Sequence, residues 1–497
     1  MMNTLICLSL LLTSGQVAQE PAGNKPNIVY VLADDLGWNE VGCYGQEKIQ
    51  TPNIDRLARE GMRFTQHYSG STVCAPSRCV LLTGKHTGHS IVRNNWENGG
   101  WGENEPEGQY PLPDEEITVA EILKGEGYAT ACIGKWGLGG PETVGHPNNQ
   151  GFDHFYGYLC QRKAHNYYPA HLWRNHDKHV INDGEYYRAH QKIQEPLATE
   201  EDYRKQYDRK DYTPDLMRDE AVEFIREHSD EPFFLYYASP IPHVAIQALT
   251  EDIEAYPREW DSTHYLGQKG YLPHPRPRAA YAAMITRLDA EIGALLDELE
   301  ARGVADNTIV IVSSDNGTTY AGGVDYDFFE STGPLRGLKG SLYEGGIRVP
   351  MVVRWPGHVA PGSTTDHVSG FHDVMPTLAE LAGAEPPTCD GKSFLPTLTS
   401  GKQQQHEALY WEIGSKQAMR MGRWKAVRNG LKKGDTTIQL FDLESDLGEK
   451  KNVASNHPEI VARMTELMDE YHEPSEIFPL PTIDYDVDQE KKRPEES

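Results

Sequence analysis

The sequence predicts an α/β fold with a large, mostly parallel sheet flanked by helices, followed by a smaller C-terminal α+β domain. Three observations carry this expectation. Asn27-Ile-Val-Tyr-Val-Leu-Ala33 is an apolar run of strand length that stops abruptly at Asp34-Asp35. Thr308-Ile-Val-Ile-Val312 is a second such run and ends in Ser313-Ser314-Asp315-Asn316-Gly317. Between them, strand-length apolar runs alternate with segments of helical period, as in chains that wind helices around a parallel sheet.

In chain order, Leu5 to Leu12 is a short apolar run followed by small and polar residues up to Ala18, so residues 1–18 read as a signal peptide of an exported, periplasmic or secreted protein. The run is too short for a membrane span of about 20 residues, and no later segment reaches that length. A helix is expected near Ile54 to Met62 and another over Thr118 to Leu123, which leads into a strand over Gly127 to Ile133. Asp219 to Glu227 reads as a helix before the strand Phe233 to Tyr237. Ala279 to Arg302 places Ile285, Leu288, Ile292 and Leu296 at helical spacing. These elements define a large first domain over 25–383. Shorter runs at Ala408 to Ile413, Trp424 to Val427 and Leu440-Phe441, with a helix near Ile460 to Tyr471, define a small-sheet domain over 384–485. Residues 486–497 are nearly all polar or charged and read as a disordered tail. The stretch from Gly139 to Tyr212 shows little periodicity and reads as long loops, which on a rigid sheet often shape a pocket.

Lys and Arg number 47 against 74 Asp and Glu, a net charge of −27. That balance argues against a nucleic-acid partner. It also requires any anion site to be a local cluster of cations or metal. Seven cysteines in 497 residues are too few for a disulfide-built scaffold.

Asp34, Asp35, Asp315 and Asn316 offer hard oxygen donors at the ends of two strands, a set that suits Ca²⁺ or Mg²⁺ rather than zinc. Cys74-Ala-Pro-Ser-Arg78, continuing to Thr83-Gly84, is a compact turn running into an apolar helix start. This motif closely resembles the site at which formylglycine-dependent (type I) sulfatases of the alkaline phosphatase superfamily have a cysteine oxidised to an aldehyde. The resemblance continues in family order through Asp34-Asp35, Gly134-Lys135-Trp136, Pro242-His243, Asp315-Asn316-Gly317, Lys339-Gly340 and Glu344 to Pro350, and reaches Leu440 to Asp446.

The resemblance implies an alkaline phosphatase-like sheet and an arylsulfatase-type enzyme that hydrolyses sulfuric esters. It implies Ca²⁺, or Mg²⁺ in its place, held by Asp34, Asp35, Asp315, Asn316 and the formylglycine made from Cys74. It implies Arg78 beside the deprotonated diol, Lys135 and Lys339 on the sulfate, and His243 as the acid for the leaving oxygen, with Lys339 able to share that task. A formylglycine-generating enzyme or an anaerobic sulfatase-maturating enzyme would be the maturation partner. One position departs from the pattern. The family usually has histidine two residues after the lysine, whereas this chain has Gly137. His146 or His165 from a loop, or a wider pocket, are the alternatives left open.

The segment Gln161 to Asn175, with Gly88 to Asn95 upstream, mixes aromatic, amide and cationic side chains and resembles the sugar-contacting loops of carbohydrate sulfatases. It points to a sulfated sugar or glycan fragment, galactose or N-acetylgalactosamine 4-sulfate among the candidates. Arg93, His165, Asn166 and Arg174 are the candidate contacts. Two other readings compete: a phosphonate or phosphate ester hydrolase of the same superfamily, and a non-catalytic protein that captures sulfated glycans with Cys74 as a plain thiol. Turnover of matched sulfate and phosphonate esters separates the first, and binding without sulfate release marks the second.

Overall fold

A computed structural model of the chain describes residues 25–487, apart from Trp101 and Asn104. The expected leader, and the tail from residue 488, lie outside the described residues. The main sheet has 11 strands. In chain order they are β1 (Asn27–Ala33), β2 (Met62–Tyr68), β3 (Ala129–Lys135), β4 (His154–Tyr158), β5 (His171–Arg174), β6 (Asp177–Val180), β7 (Phe233–Ala238), β8 (Thr308–Ser314), β9 (Arg348–Arg354), β10 (Ser363–Thr365) and β11 (Ser369–Gly370). Their order across the sheet is β10-β2-β9-β8-β1-β7-β3-β4-β5-β6, with β11 pairing on β2.

The sheet is mixed. Its middle, β8-β1-β7-β3-β4, is parallel. The pairs β8/β9, β2/β9, β4/β5 and β5/β6 are antiparallel. The stretch read from sequence as long loops therefore contains three strands. They are short, five, four and four residues, and rich in Tyr, His and Trp rather than Val and Ile, so they show no two-residue alternation.

The central strands are apolar over most of their length because both faces are covered. All seven residues of β1 are buried. Val29, Val31 and Ala33 pack into one core with the Thr213–Glu227 and Pro277–Ala301 helices. Ile28, Tyr30 and Leu32 pack into the other, with the Cys74–Thr83 and Val374–Ala382 helices. Each buried aliphatic side chain here contributes roughly 1.5–3 kcal/mol.

The long helix also carries a buried acid that periodicity does not reveal. One Glu291 oxygen accepts from the hydroxyls of Tyr237 (3.0 Å) and Ser239 (3.3 Å). The other has no partner among the described residues. Burial pushes this carboxyl up to about 8. The folded protein thus keeps a proton that the unfolded chain releases above its ordinary value of 4.5, so this group's stability contribution is full below pH 4.5 and is lost as the pH rises to about 8. The loss is about 1.4 kcal/mol per pH unit. Glu291→Gln is uncharged and nearly isosteric, so its stability relative to the native chain is expected to climb between about pH 5 and 8 in urea unfolding. A difference that stays constant with pH would show that Glu291 is already ionised in the folded state.

The C-terminal part is a four-stranded antiparallel sheet, β12 (Leu409–Ile413), β13 (Lys416–Met421), β14 (Trp424–Arg428) and β15 (Gln439–Asp442). The Pro458–Glu470 helix covers it through Met464, Leu467 and Met468. Polar bonds tie it to the main body: Trp411 Nε1 donates to the Ser69 carbonyl (2.9 Å), and Lys425 is buried against Glu344 (2.8 Å). Cys43, Cys74, Cys79, Cys132, Cys160 and Cys389 are all free thiols. Among the described residues no helix is long and apolar enough to cross a membrane.

Candidate active site

The parallel middle of the sheet delivers the site. Ala33 of β1 pairs with Ser314 of β8, Leu32 with Ala238 of β7, and Ala238 with Gly134 of β3. Asp34, Asp315 and Lys135 therefore leave the sheet at one level, beyond the carboxyl ends where ligands collect in such folds. Gly134 is required just before the lysine: its φ is 123°, and a Cβ there would sit 2.0 Å from the Ala238 carbonyl oxygen. Asp35 adopts a left-handed conformation, φ 68°, which Asp tolerates better than most residues. Its N–H donates to Asp315 Oδ1 (3.1 Å), and its carboxylate accepts from Asn316 Nδ2 (2.7 Å).

Cys74 opens the Cys74–Thr83 helix, all ten residues of which are buried. Pro76 falls in the first turn, where its missing N–H costs nothing. The helix ends at Gly84, left-handed with φ 68°. Arg78 lies one turn after Cys74 on the same face. Its guanidinium donates to Asp315 Oδ2 from Nε (3.2 Å) and Nη2 (2.9 Å), and to the Lys135 carbonyl. The N–H of Ala75 donates to Asn95 Oδ1 (3.0 Å), which fixes the backbone beside the cysteine.

Cys74 Sγ donates to Asp34 Oδ1 (3.3 Å) and lies 3.5 Å from each of Lys135 Nζ and Lys339 Nζ. Lys135 is paired with Asp34 (2.5 Å) and Lys339 with Asp35 (2.7 Å). Burial, then the Asp315 and Asp34 charges, hold the Cys74 thiol far above its ordinary value, so the unmodified side chain is a neutral thiol. Burial alone would raise Asp34, but Lys135, His243 and Arg78 hold it well below the carboxylate range. Burial and the neighbouring Asp34 push Asp315 up to about 6. Burial opposes the charge on both lysines, yet Asp34 and Asp35 keep them raised.

The donor set fits a hard divalent cation. Three buried carboxylates converge, and Asn316 Oδ1 is a buried acceptor with no partner among the described residues. Oxygen donors of this kind suit Ca²⁺ or Mg²⁺. Asp34, Asp35, Cys74 and His243 also place one ligand atom each within 4.8 Å of one another.

His243 follows β7. Its Nδ1 lies 2.6 Å from the Val244 carbonyl, and its Nε2 faces Asp35 at 3.7 Å. Burial, then Lys339 and Lys135, push it down to about 4. His165 stacks on it with ring centroids 4.9 Å apart and planes 9° apart. Gly137 explains why no histidine follows Lys135-Trp136: φ is 87°, and a Cβ would lie 2.3 Å from Gln161 Nε2. Of the two histidines left open by the sequence, His165 stands against His243, whereas His146 stacks on His176 and bonds the Asn175 carbonyl.

The other expected sugar contacts divide. Asn166 is buried within its own loop, accepting from the Tyr168 N–H (2.9 Å) and donating to the Tyr187 carbonyl (3.4 Å). Arg93 and Arg174 each pair with a carboxylate of the chain. Arg93 is 6% exposed and binds Glu412 (2.7 Å) and the Glu473 carbonyl at the junction with the C-terminal part. Arg174 binds Glu220 (2.5 Å) and lies over the Tyr156 ring. Residues not singled out from sequence stand here as well. Asn95 holds the nucleophile's backbone, and Tyr271 packs its ring against His165 (5.1 Å) and His243 (6.0 Å). His190 bonds His165 Nδ1 (2.9 Å). Asn95 adjoins a motif already noted; nothing in the sequence around Tyr271 or His190 marks them.

Comparison with known proteins agrees with this geometry. The family model described as Sulfatase matches residues 26–384, and that described as N-sulphoglucosamine sulphohydrolase, C-terminal, matches 338–474. Arylsulfatase A of Bos taurus is 33% identical over 92% of this chain and 88% of its own length. N-acetylgalactosamine-6-sulfatase of Sus scrofa is 30% identical over 84% of this chain and 74% of its own. The solved structure of Ps i-CgsB in complex with k-i-k-neocarrahexaose is 27% identical, with a TM-score of 0.73, covering 94% of this chain and 96% of that one. With the site built on the same motifs that carry the resemblance, the chain belongs to the sulfatase family, the type I enzymes of alkaline phosphatase fold.

Proposed function

We propose that this sulfatase releases inorganic sulfate from a sulfated sugar, using formylglycine made from Cys74 as nucleophile. The observation that supports this most directly is the position of Cys74 Sγ, within 3.5 Å of an aspartate and two lysines in a protein of net charge −27. These cations are the local exception that an anionic substrate requires. A thiol held neutral by burial is a poor nucleophile, which favours conversion of the side chain. The host's formylglycine-generating or anaerobic sulfatase-maturating enzyme would perform it. Relatives named for N-acetylgalactosamine-6-sulfate support a galactose-type sugar, and favour the 6-position over the 4-position suggested by the loops.

In this reading Asp34, Asp35, Asp315 and Asn316 hold Ca²⁺ or Mg²⁺, which would polarise the sulfate and acidify the nucleophile. Lys135 and Lys339 draw the sulfate against residue 74. Asp315 would take the proton of one hydroxyl of the hydrated residue 74 as that oxygen bonds to sulfur, and would pass the proton to solvent before the next turnover. The bond from sulfur to the sugar oxygen breaks, and that oxygen takes a proton from His243. His243 would then take back a proton from the second hydroxyl as the carbonyl re-forms and the bond between the residue 74 carbon and the sulfate-bearing oxygen breaks, and water would rehydrate the aldehyde. Arg78 holds Asp315 and the Lys135 carbonyl in place throughout.

Mass spectrometry of the peptide containing residue 74, from native-source protein that turns over an aryl sulfate, tests the reading. Formylglycine is the expected result. Unmodified cysteine throughout an active preparation would overturn it.

A further inference from the structure

A cleft of about 240 Å³ lies among the residues that surround strands β4 to β6. Its lining includes Arg162, Lys163, Lys178 and Arg188, with His190 at one side. Among the described lining residues Glu103 is the one acid. Acids outnumber Lys and Arg by 27 over the whole chain, so this cleft inverts the protein's charge balance. Three of the cations are engaged in the wall: Arg162 with Glu97 (3.0 Å), Lys163 with the Gly102 carbonyl (2.9 Å), and Lys178 with Glu107 at 3.9 Å. Arg188 is exposed and forms no ion pair among the described residues. A recess lined mostly by one sign of charge concentrates the opposite sign.

The cleft is joined to the reaction centre through side chains. His190 lines it and bonds His165 (2.9 Å), which stacks on His243 (4.9 Å). Tyr186 and Tyr187 supply aromatic surface to the same wall.

Resting on the sugar sulfatase reading, we infer that this cleft is a subsite for a second anionic group, sulfate or carboxylate, on a neighbouring residue of the same glycan. The substrate class is then a multiply charged oligosaccharide. Arg188 supplies the unneutralised charge that recognises the second anion. It acts on substrate binding and has no part in the chemical step.

The test uses the mature enzyme turning over an aryl sulfate, which is small enough to need only the catalytic centre. Competing probes are inorganic sulfate, a chondroitin sulfate hexasaccharide and a hyaluronan hexasaccharide, the last bearing carboxylates only. Arg188→Glu is expected to leave aryl sulfate kcat/KM and the inorganic sulfate inhibition constant within about twofold, and to raise the inhibition constant of chondroitin sulfate hexasaccharide at least about tenfold. The native enzyme should lose its preference for the hexasaccharide over inorganic sulfate as salt rises, and the variant should show little of that dependence. An equal Arg188 effect on hyaluronan assigns the subsite to carboxylate; no effect there assigns it to sulfate. Inhibition by the sulfated hexasaccharide that is unchanged in Arg188→Glu overturns the inference. A native enzyme that releases no sulfate from any ester instead overturns the sulfatase reading, so the two failures are distinct.

Discussion

Cys74→Ala is expected to lower kcat for aryl and sugar sulfates by about 10⁴-fold or more, close to 5.5 kcal/mol of transition-state stabilisation. The size follows from removing the nucleophile while leaving its surroundings. The side chain is fully buried at the first position of its helix, and the replacement subtracts one sulfur atom from a wall of charged groups. Thermal stability should stay within a few degrees of the native value, since Asp34 remains bound to Lys135 and Arg78. Cys74→Ser sharpens the test. A serine hydroxyl occupies the same place and attacks sulfur, but the resulting ester has no second hydroxyl with which to expel sulfate. Where the host leaves the serine unmodified, a burst of at most one equivalent is expected, with one SO₃ group retained on the residue 74 peptide. Sustained turnover by an unmodified serine enzyme would show that the geminal diol is unnecessary.

Much of this centre was legible because the strands that carry it are buried on both faces. β1 is apolar to its last residue and β8 to Val312, so the change to Asp34-Asp35 and to Ser313-Ser314-Asp315-Asn316 marks where the chain leaves the sheet. The Cys74 motif is compact because one helical turn sets Arg78 beside the cysteine, and sequence spacing records that turn directly. Relations across the fold were harder to read. Nothing in Gln161 announces that its amide fills the space beside Gly137, because that contact depends on how a loop returns over β3 and β4. Arg93 resembled a sugar contact by residue type, yet its partner Glu412 lies 319 positions away. The strands β4 to β6 were missed because short segments of Tyr, His and Trp carry no alternation. Glu291 was hidden by the apolar period around it, since one acid facing Tyr237 and Ser239 leaves no pattern.

His243→Ala is expected to separate substrates by their leaving groups. A sugar alcohol is a poor leaving group unless its oxygen is protonated as the bond to sulfur breaks, whereas nitrophenolate departs unaided. The variant should therefore lose about 10²–10⁴-fold in kcat on a sugar sulfate and less than about tenfold on nitrophenyl sulfate. The pH dependence gives a second readout. Burial and the two lysines push His243 down to about 4, so at neutral pH the free enzyme holds it mostly as the neutral base. The acid form that the sugar reaction needs becomes more abundant by about tenfold for each pH unit of acidification above that value, and kcat/KM reports the free enzyme. Native kcat/KM on a sugar sulfate is expected to rise from neutral pH toward about pH 5, and His243→Ala should flatten that limb without altering the aryl sulfate profile. If both substrates lose activity equally and the acid limb persists, the proton comes from elsewhere. Lys339, paired with Asp35 and 3.5 Å from Cys74 Sγ, is then the group placed to supply it. That outcome would leave His243 orienting the substrate, and Lys339→Ala would carry the leaving-group dependence instead.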